Sequence, residues 1–585
     1  MKQWLTTILI GALMVSCAVA VPAQQSQQPA AGRSYAAGEV KPPKAAAPAA
    51  ASPVTFDNIS GAANITFKQA GSPTAIKYLP ESMGAGIALL DYDNDGRLDI
   101  FFTNGARLAE PMPRGGSPDK RDPKYWDRLY HQKADGTFED MTERAGLRGE
   151  GYTMGAAAAD YDNDGWVDLY VTAYGANRLY HNNHDGTFTD VTKKTGTAGS
   201  GWSTSAAWVD YDRDGRLDLF VARYLDWDFE RGALVCGDAR PELRAYCHPD
   251  NFKGTTNLLF HQKPDGSFEE VSRAAKIADP AGKALGVAIA DIDNDGWPDI
   301  IVANDSVRQS LYHNRGDGTF TDIALAAGIG YDEDGKTFAG MGVDAADYDE
   351  DGFVDIFITA LSNQTYAIYH NLGDRTFSYD TNLSGVGQAT QLYSGWGTRF
   401  VDIDNDGWRD LFVAQGHVVD TIERTNSYLK YKQPLLLLRN TGKQFVTVSP
   451  SAGAVFNTAL AARGAAVGDL NNDGQPDIVV GVLNDAPAVL RNRGTKNHWL
   501  GLELVGTKSN RSAIGARVIV TDMANRKRLF DVSTAGSYLS SNDPRIIVGL
   551  GAAMGVRSVE IRWPSRQVQT IDNPAVDRYL RINEK

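Results

Sequence analysis

Residues 160–169 read DYDNDGWVDL, with four aspartates and a glycine in nine positions and then a run into apolar residues. A single cluster of this kind could be a solvated turn, because Asp, Asn and Gly are favoured where the backbone reverses or visits positive φ. Here the cluster recurs. DYDNDGRLD starts at Asp91, DYDNDGWVD at Asp160, DYDRDGRLD at Asp210, DIDNDGWPD at Asp291, DYDEDGFVD at Asp347, DIDNDGWRD at Asp402 and DLNNDGQPD at Asp469, the last with Asn471 at the third position. Internal repetition decides the architecture before any single element does.

Each copy lies between a small-residue run such as MGAAAAD and a β-rich run such as DLYVTA or DIIVAN, so the loop joins two strands. A second pattern follows, as in LYHNNHDGTFTDVT from Leu179, and supplies a third strand, a turn and a fourth strand. The seventh unit has its third strand from Val489 but no fourth, while VTFDNISGAANI from Val54 carries the fourth-strand pattern at the other end of the chain. The expectation is an all-β fold: a seven-bladed β-propeller over residues 53–496, whose N-terminal strand closes the last blade. Closure leaves only short, protected sheet edges. Residues 497–585 lack the acidic loops and read as a small β domain packed against the propeller. Insertions at 104–128, 223–257 and 416–433 extend three blades on a common face.

In D-x-D-x-D-G-x-x-D the oxygens at positions 1, 3 and 5 converge, position 7 offers a carbonyl and position 9 a further carboxylate, an inventory that suits calcium. The expected ligands are Asp91, Asp93, Asp95 and Asp99; Asp160, Asp162, Asp164 and Asp168; Asp210, Asp212, Asp214 and Asp218; Asp291, Asp293, Asp295 and Asp299; Asp347, Asp349, Asp351 and Asp355; Asp402, Asp404, Asp406 and Asp410; and Asp469, Asn471, Asp473 and Asp477. Up to seven Ca2+ ions follow. An EF-hand is excluded, because position 12 holds strand residues such as Phe102 or Val171 where a bidentate Glu is required. The formal charge of −14 lives in these loops: without their 27 aspartates, 45 acidic residues face 58 basic ones.

Met1 to about residue 23 has the layout of a secretory signal peptide, Lys2 followed by an apolar run and an Ala18-Val19-Ala20 site, with Cys17 as an alternative lipid-anchor position. Residues 24–52, rich in Ala, Pro and Gln, read as a flexible linker. No later stretch is long enough for a transmembrane helix. An exported protein, periplasmic, cell-surface or extracellular, is expected. Cys236 and Cys247 then read as a disulfide that pins an insertion, two free thiols being the other reading.

The loops and their flanks, from about Val54 to Gly494, resemble the FG-GAP and VCBS repeats of integrin-type propellers. NHWLGLELVGTKSNRSAIGARVIV, with SYLSSND, GLG and VEIRWPS after it, resembles the ASPIC/UnbV domain, and the union is similar to the bacterial-type cartilage acidic protein family. The resemblance implies calcium in the blade hairpins and adhesion or ligand recognition.

No nucleophile elbow, zinc-protease helix or phosphate loop is present. His131, His181, His261, His313 and His370 recur at one place in successive blades and read as structural. Recognition is expected where the repeat breaks: at Tyr224, Trp227, Asn304, Asp305, Gln415, His417, Asn484 and Asp485. The reading is a calcium-binding module for a protein or glycan ligand, with no nucleic acid as partner. The alternative is a polysaccharide lyase or hydrolase built on the propeller, with its acid and base in the insertions.

Overall fold

The computed structural model describes residues 31–33, 49–238 and 240–585. The expected signal segment and Cys17 lie outside the described residues. Seven four-stranded antiparallel sheets follow one another, and in each the acidic loop joins the first two strands. Blade two is typical: Tyr152–Ala159, Asp168–Tyr174, Arg178–Asn182 and Phe188–Asp190. The seventh blade is built from Ala462–Gly468, Asp477–Val482, Ala488–Asn492 and the N-terminal strand Phe56–Asn58, whose Phe56 pairs with Asn492.

The innermost strands pack each on the next, and that of blade seven packs on that of blade one, so the ring closes. Apolar faces meet between consecutive blades. Ala88, Leu90, Phe101 and Leu129 of blade one bury against Ala156, Ala158, Leu169 and Val171 of blade two. Each fully buried Leu, Val or Phe contributes roughly 1.5–3 kcal/mol. The small-residue runs seen in sequence are these innermost strands, where seven backbones crowd around one axis.

The C-terminal domain has two sheets. His498–Val505 lies between Ile546–Gly551 and Tyr579–Asn583, and Arg517–Asp522 and Val556–Arg562 lie between Lys527–Asp531 and Val568–Asp572. Its own core includes Leu500, Leu502, Val518, Val548, Val559 and Ile561.

The sequence places this domain beside the propeller, and the structure also places it through the propeller. The segment between Asp531 and Ile546 enters the central channel and bonds to every blade. Ser541 exchanges hydrogen bonds with Ile87 and Leu89 of blade one. Leu539 accepts from the Ala156 N–H of blade two, and its own N–H donates to Ser205 Oγ of blade three. Gly536 N–H donates to the Val287 carbonyl of blade four, and Ser537 pairs with Val343 of blade five. Ser537 Oγ accepts from Thr398 N–H of blade six and donates to the Ala465 carbonyl of blade seven. At the tip Tyr538 is fully buried, donates to the Met83 carbonyl at 2.7 Å and packs edge-on against Trp396.

The three insertions meet over the opposite end of the channel. Tyr78, Trp202, Trp227, Phe229, Tyr246 and Val418 share one apolar cluster with the plug residues Tyr538 and Leu539. Cys236 and Cys247 are bonded and buried within it. The linker has a docked point: Ala31–Gly32 pairs in parallel with Val235 and Cys236, and the Arg33 N–H donates to Asn251 Oδ1 at 2.9 Å. No helix among the described residues is long and apolar enough to cross a membrane.

Candidate metal centres

All seven acidic loops adopt one conformation. The first carboxylate turns inward to accept the N–H groups of positions 5 and 6; in blade two Asp160 accepts from Asp164 at 3.0 Å and from Gly165 at 2.7 Å. The position-5 carboxylate accepts the N–H of position 7, as Asp164 does from Trp166. Position 6 requires glycine because its φ is strongly positive, 95° at Gly165. Position 4 is also left-handed, φ 62° at Asn163, which suits Asn in five loops and leaves Arg213 and Glu350 as the departures.

The ninth carboxylate is fully buried and ties the loop to the third strand. Asp168 accepts from Tyr161 N–H at 3.2 Å with one oxygen and from Asn182 N–H at 2.8 Å with the other. The loops are also linked to one another. Asn94 donates to the Gly165 carbonyl, Asn163 to Gly215, Asn294 to Gly352, Asn405 to Gly474, and Asn472 to Gly96, so the five loops with Asn at position 4 each reach the next loop, while Arg213 and Glu350 bond to the C-terminal domain instead.

Burial and like charge push the first carboxylates upward. Asp160, Asp210, Asp291 and Asp347 are each raised to about 7, with burial the largest cause in every case. Burial likewise raises Asp99, Asp168, Asp218 and Asp355 to about 6. Asp93 Oδ1 and Asp212 Oδ1 are buried without a hydrogen-bond partner among the described residues. Clustered carboxylates, with a buried orphan oxygen in blades one and three, supply the hard oxygen donors of a divalent cation, so the residues fit that group.

The structure brings the expected ligands of each loop together and sets the repeated histidine, read from the sequence as structural, beside them. The repeated histidine of the third strand faces the loop: His131, His181, His261, His313 and His370 place Nδ1 3.0 to 3.3 Å from Asp99, Asp168, Asp218, Asp299 and Asp355. In blades six and seven the same column carries Arg439, paired with Asp404 and Asp406, and Arg491, 3.3 Å from Asp477. The signal was in the sequence: five imidazoles and two guanidiniums, all cationic or protonable, occupy one column opposite an acidic loop. In blade seven Asn471 turns its amide to Asp473, and Tyr579 donates to Asp469.

The C-terminal domain sits on this loop face. Six loops meet it through their fourth residue: Asn163 accepts from Arg511 N–H, Arg213 donates to the Pro564 carbonyl, Asn294 contacts Arg517, Glu350 pairs with Arg528, the Asn405 carbonyl accepts from Gly551 N–H, and Asn472 accepts from Arg545. Arg517 also donates to the Asp291 carbonyl, and Arg545 to that of Asp469.

Six of the eight residues expected to form a recognition face do not lie on a surface. Tyr224, Trp227, Asn304, Asp305, Gln415 and His417 are buried, because the insertions fold over them. Tyr224 donates to Asp305 Oδ2 at 2.5 Å, and Gln415 donates to the Tyr366 hydroxyl. Burial holds His417 down at about 4, so its ring stays neutral and accepts the Val419 N–H. Asn484 accepts the Gly71 N–H, and Asp485 keeps an accessible side chain, 3.5 Å from Lys432. The repeat breaks at these positions because they pack the insertions onto the ring.

The family described as FG-GAP-like repeat matches residues 91–171, 160–221, 246–302, 291–358 and 347–413, just over half of the chain. The family described as ASPIC and UnbV matches residues 506–585. Cartilage acidic protein 1 of Homo sapiens is 25% identical over 312 residues, which cover 51% of this chain and 43% of that protein. The Xenopus tropicalis protein of the same name is 25% identical over 303 residues, 49% and 42% of the two chains. The chain thus spans less than half the length of these relatives. Among solved structures, an Agrocybe aegerita lectin that recognises non-reducing terminal N-acetylglucosamine is 17% identical with a TM-score of 0.36, covering 62% of this chain and 79% of its own. The exotype rhamnogalacturonan lyase YesX is 14% identical with a TM-score of 0.35, covering 77% and 74%.

Proposed function

Because the chain belongs to the FG-GAP-like repeat proteins, here with a C-terminal ASPIC and UnbV domain, we propose that it is an exported, calcium-stabilised propeller that presents its insertion face to a protein or glycan. One observation carries this reading: the cation loops lie where the two domains meet, six of them touching the C-terminal domain through their fourth residue. Ions held there would fix ring, plug and C-terminal domain as one body. That leaves the disulfide-pinned insertions as the surface on offer. The periplasm, cell surface or extracellular space supplies both millimolar calcium and an oxidising environment for Cys236 and Cys247.

The test is binding to glycan and cell-surface protein arrays with calcium present, alongside variants of exposed insertion residues, Tyr428→Ala and Arg240→Ala. Tyr428 is half exposed at the tip of the third insertion. Retention of a ligand that the variants lose, with no product released, supports the module. Release of shortened oligosaccharides would instead identify an enzyme, and binding that both variants leave untouched would remove the insertion face from the account.

A further inference from the structure

Blade two differs from every other blade at one position of its outer turn. The sequence there is HNNHDGTF, and His184 stands where Ala134, Pro264, Gly316 and Gly373 stand in blades one, three, four and five. Its φ is 65°, in the left-handed region that Gly316 and Gly373 occupy without strain. The turn therefore holds a bulky imidazole in a conformation where glycine is the easier choice. The ring is fixed in orientation. It stacks on Trp166 with 5.0 Å between centroids and 12° between planes, and Nε2 lies 2.6 Å from Asp164 Oδ2.

Asp164 is oriented from its other oxygen, which accepts the Trp166 N–H at 2.9 Å. His181, on the adjoining third strand, turns Nδ1 inward to within 3.3 Å of both Asp162 and Asp168, and its ring centroid is 6.1 Å from that of His184. Nδ1 of His181 is buried and lacks a hydrogen bond of good geometry. The donor atoms of Asp164, His181 and His184 all fall within 4.8 Å of one another, close enough for small side-chain rotations to bring them around one ion.

Two imidazoles and a carboxylate are not the ligands of calcium, which takes oxygen. They are the ligands of a first-row transition ion, and three protein donors with one open place are a pattern that zinc accepts. We propose that Asp164, His181 and His184 bind one zinc-class transition-metal ion at the outer edge of blade two, separately from the oxygen cage with which they share Asp164. The site is open to solvent: His184 has 44% and Asp164 25% of its side chain exposed. The fourth position is left to water or to a small ligand atom. The corresponding turns of blades one, three, four and five have a single imidazole and those of blades six and seven have none, so they cannot supply this set.

The experiment titrates zinc into the full chain, once with millimolar calcium present and once without, and counts bound zinc by elemental analysis after gel filtration. Cobalt serves as the spectroscopic probe, since its visible absorption reports nitrogen and oxygen ligands directly. One equivalent of zinc is expected in both conditions, independent of whether calcium binds. His184→Ala is expected to weaken zinc at least tenfold and to abolish the cobalt spectrum, with the calcium count and thermal midpoint unchanged. His131→Ala, the matching change in blade one, is expected to leave the zinc equivalent in place. Absence of a zinc equivalent in the unmodified chain, its survival in His184→Ala, or its equal loss in His131→Ala would each overturn the assignment.

Discussion

Glu81 shows how one residue can make the stability of this ring depend on pH. Its carboxylate is 1% exposed beneath the insertions and accepts from the Thr74 hydroxyl and N–H, the Tyr78 N–H and the Tyr246 hydroxyl. Burial nevertheless dominates and raises it to about 7 from an ordinary value of 4.5. The folded state therefore holds a proton that the unfolded state releases. The stabilisation is complete below about pH 4.5 and is lost as pH rises toward 7, a difference on the order of 3 kcal/mol. Glu81→Gln should flatten the fall of the melting temperature between pH 5 and 7.5 relative to the unmodified protein in thermal melts with calcium held constant. An identical slope in both proteins would rule out Glu81 as the source.

At the scale of the element, five of the seven loops are tied to the next by the Asn at position 4. Asn472 joins blade seven to blade one through the Gly96 carbonyl at 2.8 Å and also accepts from Arg545 of the C-terminal domain. Asn472→Ala removes both bonds at a left-handed position, φ 58°, that Ala adopts poorly. We expect a loss of about 1–3 kcal/mol, read as a lower denaturant midpoint. The innermost strands make a second, steric demand. A Cβ at Gly86 would lie 2.5 Å from the carbonyl oxygens of both Leu539 and Met154. Gly86→Ala should therefore destabilise by roughly 1–3 kcal/mol, because neither backbone can withdraw. A variant that melts with the parent protein would show that the plug is looser than its hydrogen bonds indicate. Strand identity was legible from the β-rich and small-residue runs that flank each loop, but the contact made by the repeated histidine was not. Strand alternation puts His181 on one face; only the fold of the hairpin shows that this face meets Asp168.

At the scale of the molecule, the plug makes two sequence domains one structural unit. Tyr538 is the deepest point of contact, with its hydroxyl on the Met83 carbonyl and its ring 5.0 Å from Trp396. Tyr538→Ala should lower stability by about 3–5 kcal/mol, the range for emptying a buried aromatic site, and the melt should lose cooperativity as the C-terminal domain frees itself from the channel. A chelator should act on the same unit. Seven clusters of mutually repelling carboxylates, six of them in contact with the C-terminal domain, predict a large fall in melting temperature when calcium is removed, restored by adding it back. An unchanged transition, with elemental analysis finding no bound calcium, would refute the cation reading.

The sequence by itself determined the number of blades, the strand that closes the ring and the position of every acidic loop, because these depend on local rules: strand alternation, turn chemistry and the count of repeats. Closure of blade seven by Phe56–Asn58 was legible at a separation of more than four hundred residues only because the repeat made one missing strand conspicuous. The tertiary structure decided what no local rule reaches. It sent the segment around Tyr538 down the channel and set the C-terminal arginines against the loops. It also buried Tyr224, Asp305 and His417, which the broken repeat had marked as a surface. Exposure is a property of what folds over a residue, and in this chain the covering insertions come from three separate blades. DYDNDGWVDL is thus a turn whose chemistry its own residues set and whose neighbours, His181, His184 and Arg511, only the assembled ring brings to it.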